Sequence, residues 1–336
     1  MRLLVTGGAG FIGSHFVRYT LGRYPDDSVL VLDKLTYAGN TRNLEDVRSD
    51  PRFHFVQGDI ADAALVAGLM PDVDAVVNFA AETHVDRSLL DAAAFIETDV
   101  KGTWTLLEAA RRQPGVRFLQ VSTDEVYGSI AEGAFRETDP PDPSSPYSAS
   151  KAGGDMMVGA YHVTYGLDTR ITRGSNTYGP YQFPEKLIPL FITNALENRP
   201  LPLYGDGEQV RDWLHVEDHC RGIDTVLRHG APGGVYNIGA GCERENRQVT
   251  RAILDLLDKS DSLIRHVADR PGHDRRYAVQ TDRVEALGWR PEVSFEDGLR
   301  ATVDWYVARR DWWEPLKSGE YEAYYRAMYG QRVPEA

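Results

Sequence analysis

Cysteine is almost missing from this chain: Cys220 and Cys242 are the only two in 336 residues. So sparse and widely spaced a pair supports neither a disulfide framework nor a zinc site, and both read as structural thiols of a reducing compartment. Positive charge is also short, with 37 Lys and Arg against 50 Asp and Glu for a net charge of −13. This argues against broad binding to nucleic acid or to an anionic membrane, and an anionic ligand must meet a local group of arginines. No apolar run is long enough to span a bilayer, and the start, Met1-Arg-Leu-Leu-Val-Thr-Gly-Gly, reaches glycine after a few apolar residues. The chain reads as cytoplasmic, without metal. Internal repeats, low-complexity tracts and Gly/Ser linkers are lacking too, so two lobes that pack tightly are expected.

What is present is an ordinary globular composition, 42% apolar and 26% charged, enough for a sizeable core. Short β-rich runs recur at Leu3 to Thr6, Val29 to Leu32, Phe53 to Val56, Ala75 to Phe79, Phe118 to Ser122 and Thr169 to Thr172. Helix-compatible segments separate them, two of which, residues 86–112 and 147–166, are long enough for major helices. This alternation predicts βαβ units and an α/β fold with a doubly wound parallel sheet. Beyond about residue 174 the chain breaks into pieces punctuated by Pro and Gly. Residues 1–174 are therefore assigned mainly to a dinucleotide-binding domain and 175–336 mainly to a smaller substrate lobe, with segments free to return to the first; a ligand cleft between them is expected.

Gly7-Gly-Ala-Gly10-Phe-Ile-Gly13 follows the first strand and opens a helix, so bare amides at a helix N-terminus can face a pyrophosphate. Its spacing is G-x-x-G-x-x-G. Asp33 ends the second strand about twenty residues beyond Gly13, where a carboxylate can accept from an adenosine ribose and repel a 2′-phosphate. Lys34 next door weakens that repulsion, so NAD is preferred with NADP left open. Asp59, after the third strand, suits either the adenine edge or the N-cap of the next helix.

The chemistry concentrates in Ser122-Thr-Asp-Glu-Val-Tyr-Gly128 and Tyr147-Ser-Ala-Ser-Lys151. On a helix, Tyr147 and Lys151 share one face. A phenol that titrates near 10 becomes a base near neutrality only when positive charge favours its ionised form. Thr123, Asp124 and Glu125 leave the fifth strand at its C-terminal end, the edge where doubly wound sheets bind ligands. A continuing strand would point the two carboxylates oppositely, whereas a turn would splay them about one substrate, as acid and base.

These residues resemble an extended short-chain dehydrogenase/reductase, and within it the nucleotide-sugar 4,6-dehydratases. The resemblance covers most of the chain: Thr6 to Gly13, Asp33-Lys-Leu-Thr-Tyr-Ala-Gly-Asn40, Ala80-Ala-Glu-Thr-His-Val-Asp-Arg-Ser88, Ser122 to Gly128, Tyr178-Gly-Pro180, Pro184-Glu-Lys-Leu-Ile-Pro189, Arg211-Asp-Trp-Leu-His-Val-Glu-Asp-His219 and Arg270-Pro-Gly-His-Asp-Arg-Arg-Tyr277. Related epimerases keep the tyrosine and lysine but usually lack the carboxylate pair, so 4-epimerisation is the alternative activity. One departure is Thr177, in Ser175-Asn-Thr-Tyr178, where the family leads one to expect asparagine; its hydroxyl can still donate one hydrogen bond.

The resemblance implies a tightly bound NAD regenerated within each turnover, dTDP-glucose or a related nucleotide sugar as substrate, and a homodimer built on the two long helices. It implies that Tyr147, helped by Thr123 and Lys151, takes the sugar 4-hydroxyl proton, that Glu125 removes the C5 proton, and that protonated Asp124 donates to the departing 6-hydroxyl. Cofactor contacts fall to Gly7, Gly10, Phe11, Ile12, Gly13, Asp33, Lys34 and Thr36, then to Asp59, Ile60, Ala80, Ala81, Thr98, Ser122, Tyr147, Lys151 and Thr177. Sugar-nucleotide contacts fall to Thr83, Thr123, Asn176, Glu185, Lys186 and Leu187, with Pro202, Tyr204, Arg211, Asn246, Arg270, His273 and Tyr277. Arg211 and the cluster Arg270, Arg275 and Arg276 suit a diphosphate.

Other conspicuous residues have plainer readings. Trp305, Tyr306, Trp312 and Trp313 suit packing of a C-terminal helix. His84 and His219 suit hydrogen-bonded structural roles, and Glu82 suits a buried polar network, leaving Thr83 to touch the ligand. A regulatory protein that binds NAD without turnover is the alternative from another class, opposed by the intact Thr123, Asp124, Glu125, Tyr147 and Lys151.

Overall fold

The computed structural model describes residues 1–329; residues 330–336, assigned above to the second lobe, lie outside the described residues. The first half runs β1 (Arg2–Thr6), α1 (Phe11–Arg23), β2 (Ser28–Asp33), β3 (Phe53–Gln57), α2 (Ala63–Leu69) and β4 (Ala75–Asn78). It continues through α3 (Val85–Leu90), α4 (Ala93–Phe95), a π-helical stretch Ile96–Gly102, α5 (Thr103–Ala110), β5 (Arg117–Thr123), α6 (Pro146–Tyr165) and β6 (Asp168–Gly174). These strands and β10 (Gly234–Ile238) form a seven-stranded sheet of order β10-β6-β5-β4-β1-β2-β3, and every pairing in it is parallel. The α/β doubly wound fold is thus present, with its topological switch between β1 and β4.

Helices bury both faces of this sheet, which is why its strands are nearly continuous apolar runs. Phe16, Val17 and Leu21 of α1 pack with Ile223, Val226 and Leu227 on one side. Val66, Leu106, Leu107, Val158 and Tyr161 cover the other.

The second half supplies β7 (Asn176–Tyr178), α7 (Leu187–Leu196), β8 (Leu201–Tyr204), β9 (Val210–His215), α8 (Val216–His229), β11 (Glu243–Glu245), α9 (Asn246–Leu256), β12 (Ile264–Val267), α10 (Asp282–Glu285), α11 (Phe295–Ala308), α12 (Arg310–Trp313) and α13 (Glu320–Tyr329). Two small sheets, β11-β9-β7 and β12-β8, hold a second core. Trp312, Trp313 and Tyr306 are fully buried there with Phe191, Ile253 and Val303, so the aromatic run packs helices together.

The expected helix over residues 147–166 is α6. Pro146 occupies its first turn, Ser145 and Ser148 form a reciprocal capping box, and Gly166 ends it in the left-handed region at φ 67°. The single helix expected over 86–112 is instead interrupted. α3 ends at Asp91, whose carboxylate accepts from the Ala93 amide at 3.0 Å in the turn before α4. The π-helical turns then carry Asp99 inward, where Ser150 of α6 donates to it at 2.6 Å. Among the described residues no helix is long and apolar enough to cross a membrane.

Candidate active site

One long cavity lies along the C-terminal ends of the parallel strands and continues into a second cavity under the smaller sheets; Glu125, Asn176, Glu185 and Lys186 line both. The glycine turn forms its floor. A Cβ on Gly7 would sit 2.6 Å from the Ala80 amide nitrogen, and one on Gly13 would sit 2.4 Å from the Gly7 carbonyl oxygen. Gly10, the N-cap of α1, brings no side chain to the first amides of the helix. Those amides are thus left for an anion beside the positive end of the helix dipole.

Asp33 accepts from the Ala9 and Leu35 amides at 2.9 and 2.8 Å. Burial raises its pKa and these amides oppose the rise. Asp59 is not an N-cap: Asp62 caps α2, while Asp59 accepts from the Ala61 amide at 2.8 Å and pairs with Lys34 at 2.7 Å. Burial acts to raise its pKa, but Lys34 and that amide outweigh it and hold the group below the usual range. Lys34 is thereby held by a carboxylate at the cavity wall. Thr36, Ile60, Ala80, Ala81, Thr98, Ser122 and Thr177 line the same cavity with Phe11 and Ile12. These residues fit a dinucleotide: bare amides for its pyrophosphate and a buried carboxylate for its ribose.

β5 ends in a turn, not in further strand. Thr123 begins a 3₁₀ turn over Asp124–Tyr127, accepting from the Glu125 amide through its Oγ1 at 3.2 Å and donating to Asp124 Oδ1 at 3.2 Å. The two carboxylates thereby differ in surroundings: Asp124 is 2% exposed with Oδ2 unpartnered, while Glu125 is half-buried and faces both cavities. Burial, then the charges of Glu125 and Asp212, push the Asp124 pKa well above the carboxylate range. Burial and like charge thus favour the neutral form of Asp124.

Tyr147 and Lys151 lie one turn apart on α6, both lining the cavity. Lys151 donates to the Val121 carbonyl at 3.0 Å. Burial, Glu125 and Asp99 raise the Tyr147 phenol well above its ordinary value, and a hydrogen bond with Thr123 opposes them. The phenol ionises only with positive charge brought alongside.

Leu187, Pro202, Tyr204, Asn246, His273 and Tyr277 line the second cavity with Arg211 and Arg270, and Thr83 lines the first. The Arg211 guanidinium lies over the Tyr277 ring at 4.2 Å and donates to the Asp274 carbonyl at 2.9 Å. Burial holds His273 neutral, with a pKa of about 4. Asn176 Oδ1, Asn246 Oδ1 and Glu185 Oε1 are buried without partners, open acceptors for a polar ligand. Arg275 and Arg276 do not join this group. Arg275 turns to Asp206 at 2.9 Å and Glu208 at 2.6 Å, on the segment between β8 and β9, and Arg276 to Glu243 at 2.6 Å, on β11.

Sequence reading overlooked Asp86, whose carboxylate joins Arg270 to Tyr204, and Trp213, Phe191 and Tyr329, which wall the same cavity. Asp86 stood inside the motif Ala80 to Ser88, but nothing in its spacing distinguished it. His84 is structural, facing the Glu185 carbonyl and the Tyr324 hydroxyl. His219 Nδ1 meets the Thr177 hydroxyl at 2.7 Å, so Thr177 is already engaged where a free amide was expected. Glu82 lines the cofactor cavity, and burial with the charge of Asp99 raises it to about 7.

The family model described as GDP-mannose 4,6 dehydratase matches residues 4–302. A dTDP-glucose 4,6-dehydratase of Streptomyces antibioticus is 54% identical over 323 residues, covering 94% of this chain and 96% of the relative. The crystal structure of DesIV, a dTDP-glucose 4,6-dehydratase from Streptomyces venezuelae solved with NAD bound, superposes with a TM-score of 0.92 at 60% identity, covering 94% of this chain and all of that one. A Thermus thermophilus UDP-glucose 4-epimerase in complex with NAD gives 0.85 at 34% identity, over 92% of this chain and 100% of that one.

Proposed function

The chain belongs to the GDP-mannose 4,6 dehydratase family, and from that premise we infer that it binds NAD and converts dTDP-glucose to dTDP-4-keto-6-deoxyglucose and water. The observation that carries the dehydration step is the turn after β5. It sets one buried and one accessible carboxyl, Asp124 and Glu125, in the same cavity as Tyr147 and Lys151. An epimerase needs only the latter pair.

When bound, NAD supplies the hydride acceptor for C4 of the sugar and later returns the same hydride to C6. Gly7, Gly10 and Gly13 leave room for it, and Asp33 receives its ribose. Tyr147 accepts the proton of the 4-hydroxyl at its phenolic oxygen, helped by the Thr123 hydroxyl and the Lys151 ammonium. Oxidation at C4 acidifies the C5 proton, which Glu125 removes. Asp124, protonated because it is buried beside another carboxyl, donates to the 6-hydroxyl so that it departs as water. Glu125 afterwards returns a proton to C5. Arg211 and Arg270 hold the diphosphate by charge-assisted hydrogen bonds, with Asn176, Glu185, Lys186, Leu187, Pro202, Tyr204, Asn246, His273 and Tyr277 fixing the rest of the nucleotide.

The test is turnover of dTDP-glucose in deuterated water, followed by mass spectrometry and NMR. A 4-keto-6-deoxy sugar carrying deuterium at C5 is expected. Formation of dTDP-galactose without loss of water would select the epimerase instead, and retained NAD with no product from any sugar nucleotide would select the regulatory reading.

We also propose that the protein works as a homodimer in a reducing cytoplasm. Leu89, Leu90, Ile96, Trp104, Met156 and Val163 are exposed apolar side chains on α3, α5, α6 and the π-helical stretch, the segments assigned to self-association. Sedimentation equilibrium should give twice the chain mass, and Trp104→Glu with Met156→Glu should give the monomer.

A further inference from the structure

The dehydration assigned above leaves a proton out of place. After one turnover Glu125 is restored, since it takes a proton from C5 and gives one back. Tyr147 has gained the proton of the 4-hydroxyl, and Asp124 has lost the one that left in water. The site is ready again only when one proton has moved from Tyr147 to Asp124. Asp124 is 2% exposed, unlike the half-buried Glu125 that exchanges with solvent. A route inside the protein serves it more directly than bulk water.

Thr123 stands between the two groups. Its Oγ1 lies 3.2 Å from Asp124 Oδ1 and donates to it, and the same hydroxyl is hydrogen-bonded with the Tyr147 phenol. A hydroxyl can donate and accept at once, which a relay requires. The other charged groups near Asp124 are Glu125, Asp212 and Arg211. Asp212 is occupied by the Cys242 amide at 2.7 Å and Arg211 carries no acceptor. We propose that Thr123 is the proton bridge that resets the active site. The Oγ1–H bond breaks as its proton passes to Asp124 Oδ1, while Oγ1 takes the phenolic proton of Tyr147. One O–H bond breaks at each of the two donors and one forms at each acceptor. Nothing is oxidised or reduced.

This inference rests on the dehydratase reading, and rapid-mix kinetics separates the two. For the NAD-loaded Thr123→Val enzyme the first turnover should itself slow, because Thr123 also helps Tyr147, and later turnovers should be roughly 100-fold slower again, in the range ordinarily lost with a proton-transfer group. Small buffer acids such as imidazole should speed the later turnovers and leave the first unchanged. Thr123→Ala, which makes room for a water, should turn over faster than Thr123→Val, and Thr123→Ser should show no gap between the first and later turnovers. Equal loss in the first and later turnovers, with no buffer response, would overturn the bridge and leave the dehydratase reading standing. Absence of the 4-keto product from the unaltered enzyme would instead defeat that reading itself. Thr123 Oγ1 also caps the Glu125 amide, so a purely structural effect slows the first turnover and the later ones alike. Should Thr123→Val fail to fold, Thr123→Ala and Thr123→Ser carry the same comparison.

Discussion

The Asp86 carboxylate lies 3.3 Å from the Arg270 guanidinium through Oδ1 and accepts from the Tyr204 hydroxyl through Oδ2 at 2.9 Å. The carboxylate is 4% exposed and the arginine side chain 12%, so each holds the other with little help from water. From α3, Asp86 thereby aims two side chains that line the second cavity. Asp86→Asn keeps the shape and removes the charge. Its KM for dTDP-glucose should rise about 10- to 100-fold, the value of a hydrogen bond to a charged group, with kcat changed little. A fall in kcat at constant KM would contradict the positioning role.

Replacing Glu125 with Gln removes the base and leaves Tyr147, Lys151 and Asp124 in place. Oxidation at C4 should proceed, so absorbance of reduced cofactor should build up on mixing with substrate, while formation of the 4-keto-6-deoxy product drops about 10²- to 10⁴-fold. Full dehydration by this variant would refute the assignment of the base.

The parallel sheet was legible because both of its faces are buried, so each strand is an apolar run between turn signals. Ala75 to Asn78 is an example, buried along its whole length. The site was legible wherever chemistry demands particular residue types in a short span, as at Gly7 to Gly13 and Tyr147 to Lys151. What stayed hidden arises from contacts distant in sequence. Asp86 meets Arg270 across 184 positions, and the acidic partners that draw Arg275 and Arg276 away lie on separate segments, so an arginine cluster in sequence is not one in space. The break in the long helix has a local reason: the turn at Asp91 and the π-helical stretch interrupt no apolar pattern.

Gly13 tests the cofactor cradle. A Cβ there would meet the Gly7 carbonyl oxygen at 2.4 Å and the Gly8 Cα at 2.9 Å, both backbone atoms that cannot rotate away. Gly13→Ala should force the turn open and displace the amides that receive the pyrophosphate. The variant should purify with little NAD, measured by chromatography of the nucleotide released on denaturation, while its circular dichroism stays close to that of the unaltered chain. Full NAD content would show that the turn has room that this geometry lacks.

Asp99 is 1% exposed, with Ser150 donating to Oδ2 at 2.6 Å and Oδ1 left without a partner. Burial raises its pKa to about 6, against the pull of Lys151 and Ser150, and Glu82 is raised to about 7 by burial and by Asp99 itself. Both carboxyls hold a proton more tightly in the folded chain than in the unfolded one, where they titrate near about 4. Their contribution to stability is therefore fully present below that value and is lost as pH rises through about 6 and then about 7. Without NAD, the thermal midpoint should fall by on the order of 10 °C between about pH 5 and about pH 8. Asp99→Asn keeps the hydrogen bond from Ser150 and cannot ionise, so its midpoint should lie above that of the unaltered chain at the alkaline end and vary less with pH. An equal slope in the two proteins would mean that Asp99 is already ionised in the fold, held so by the Lys151 ammonium.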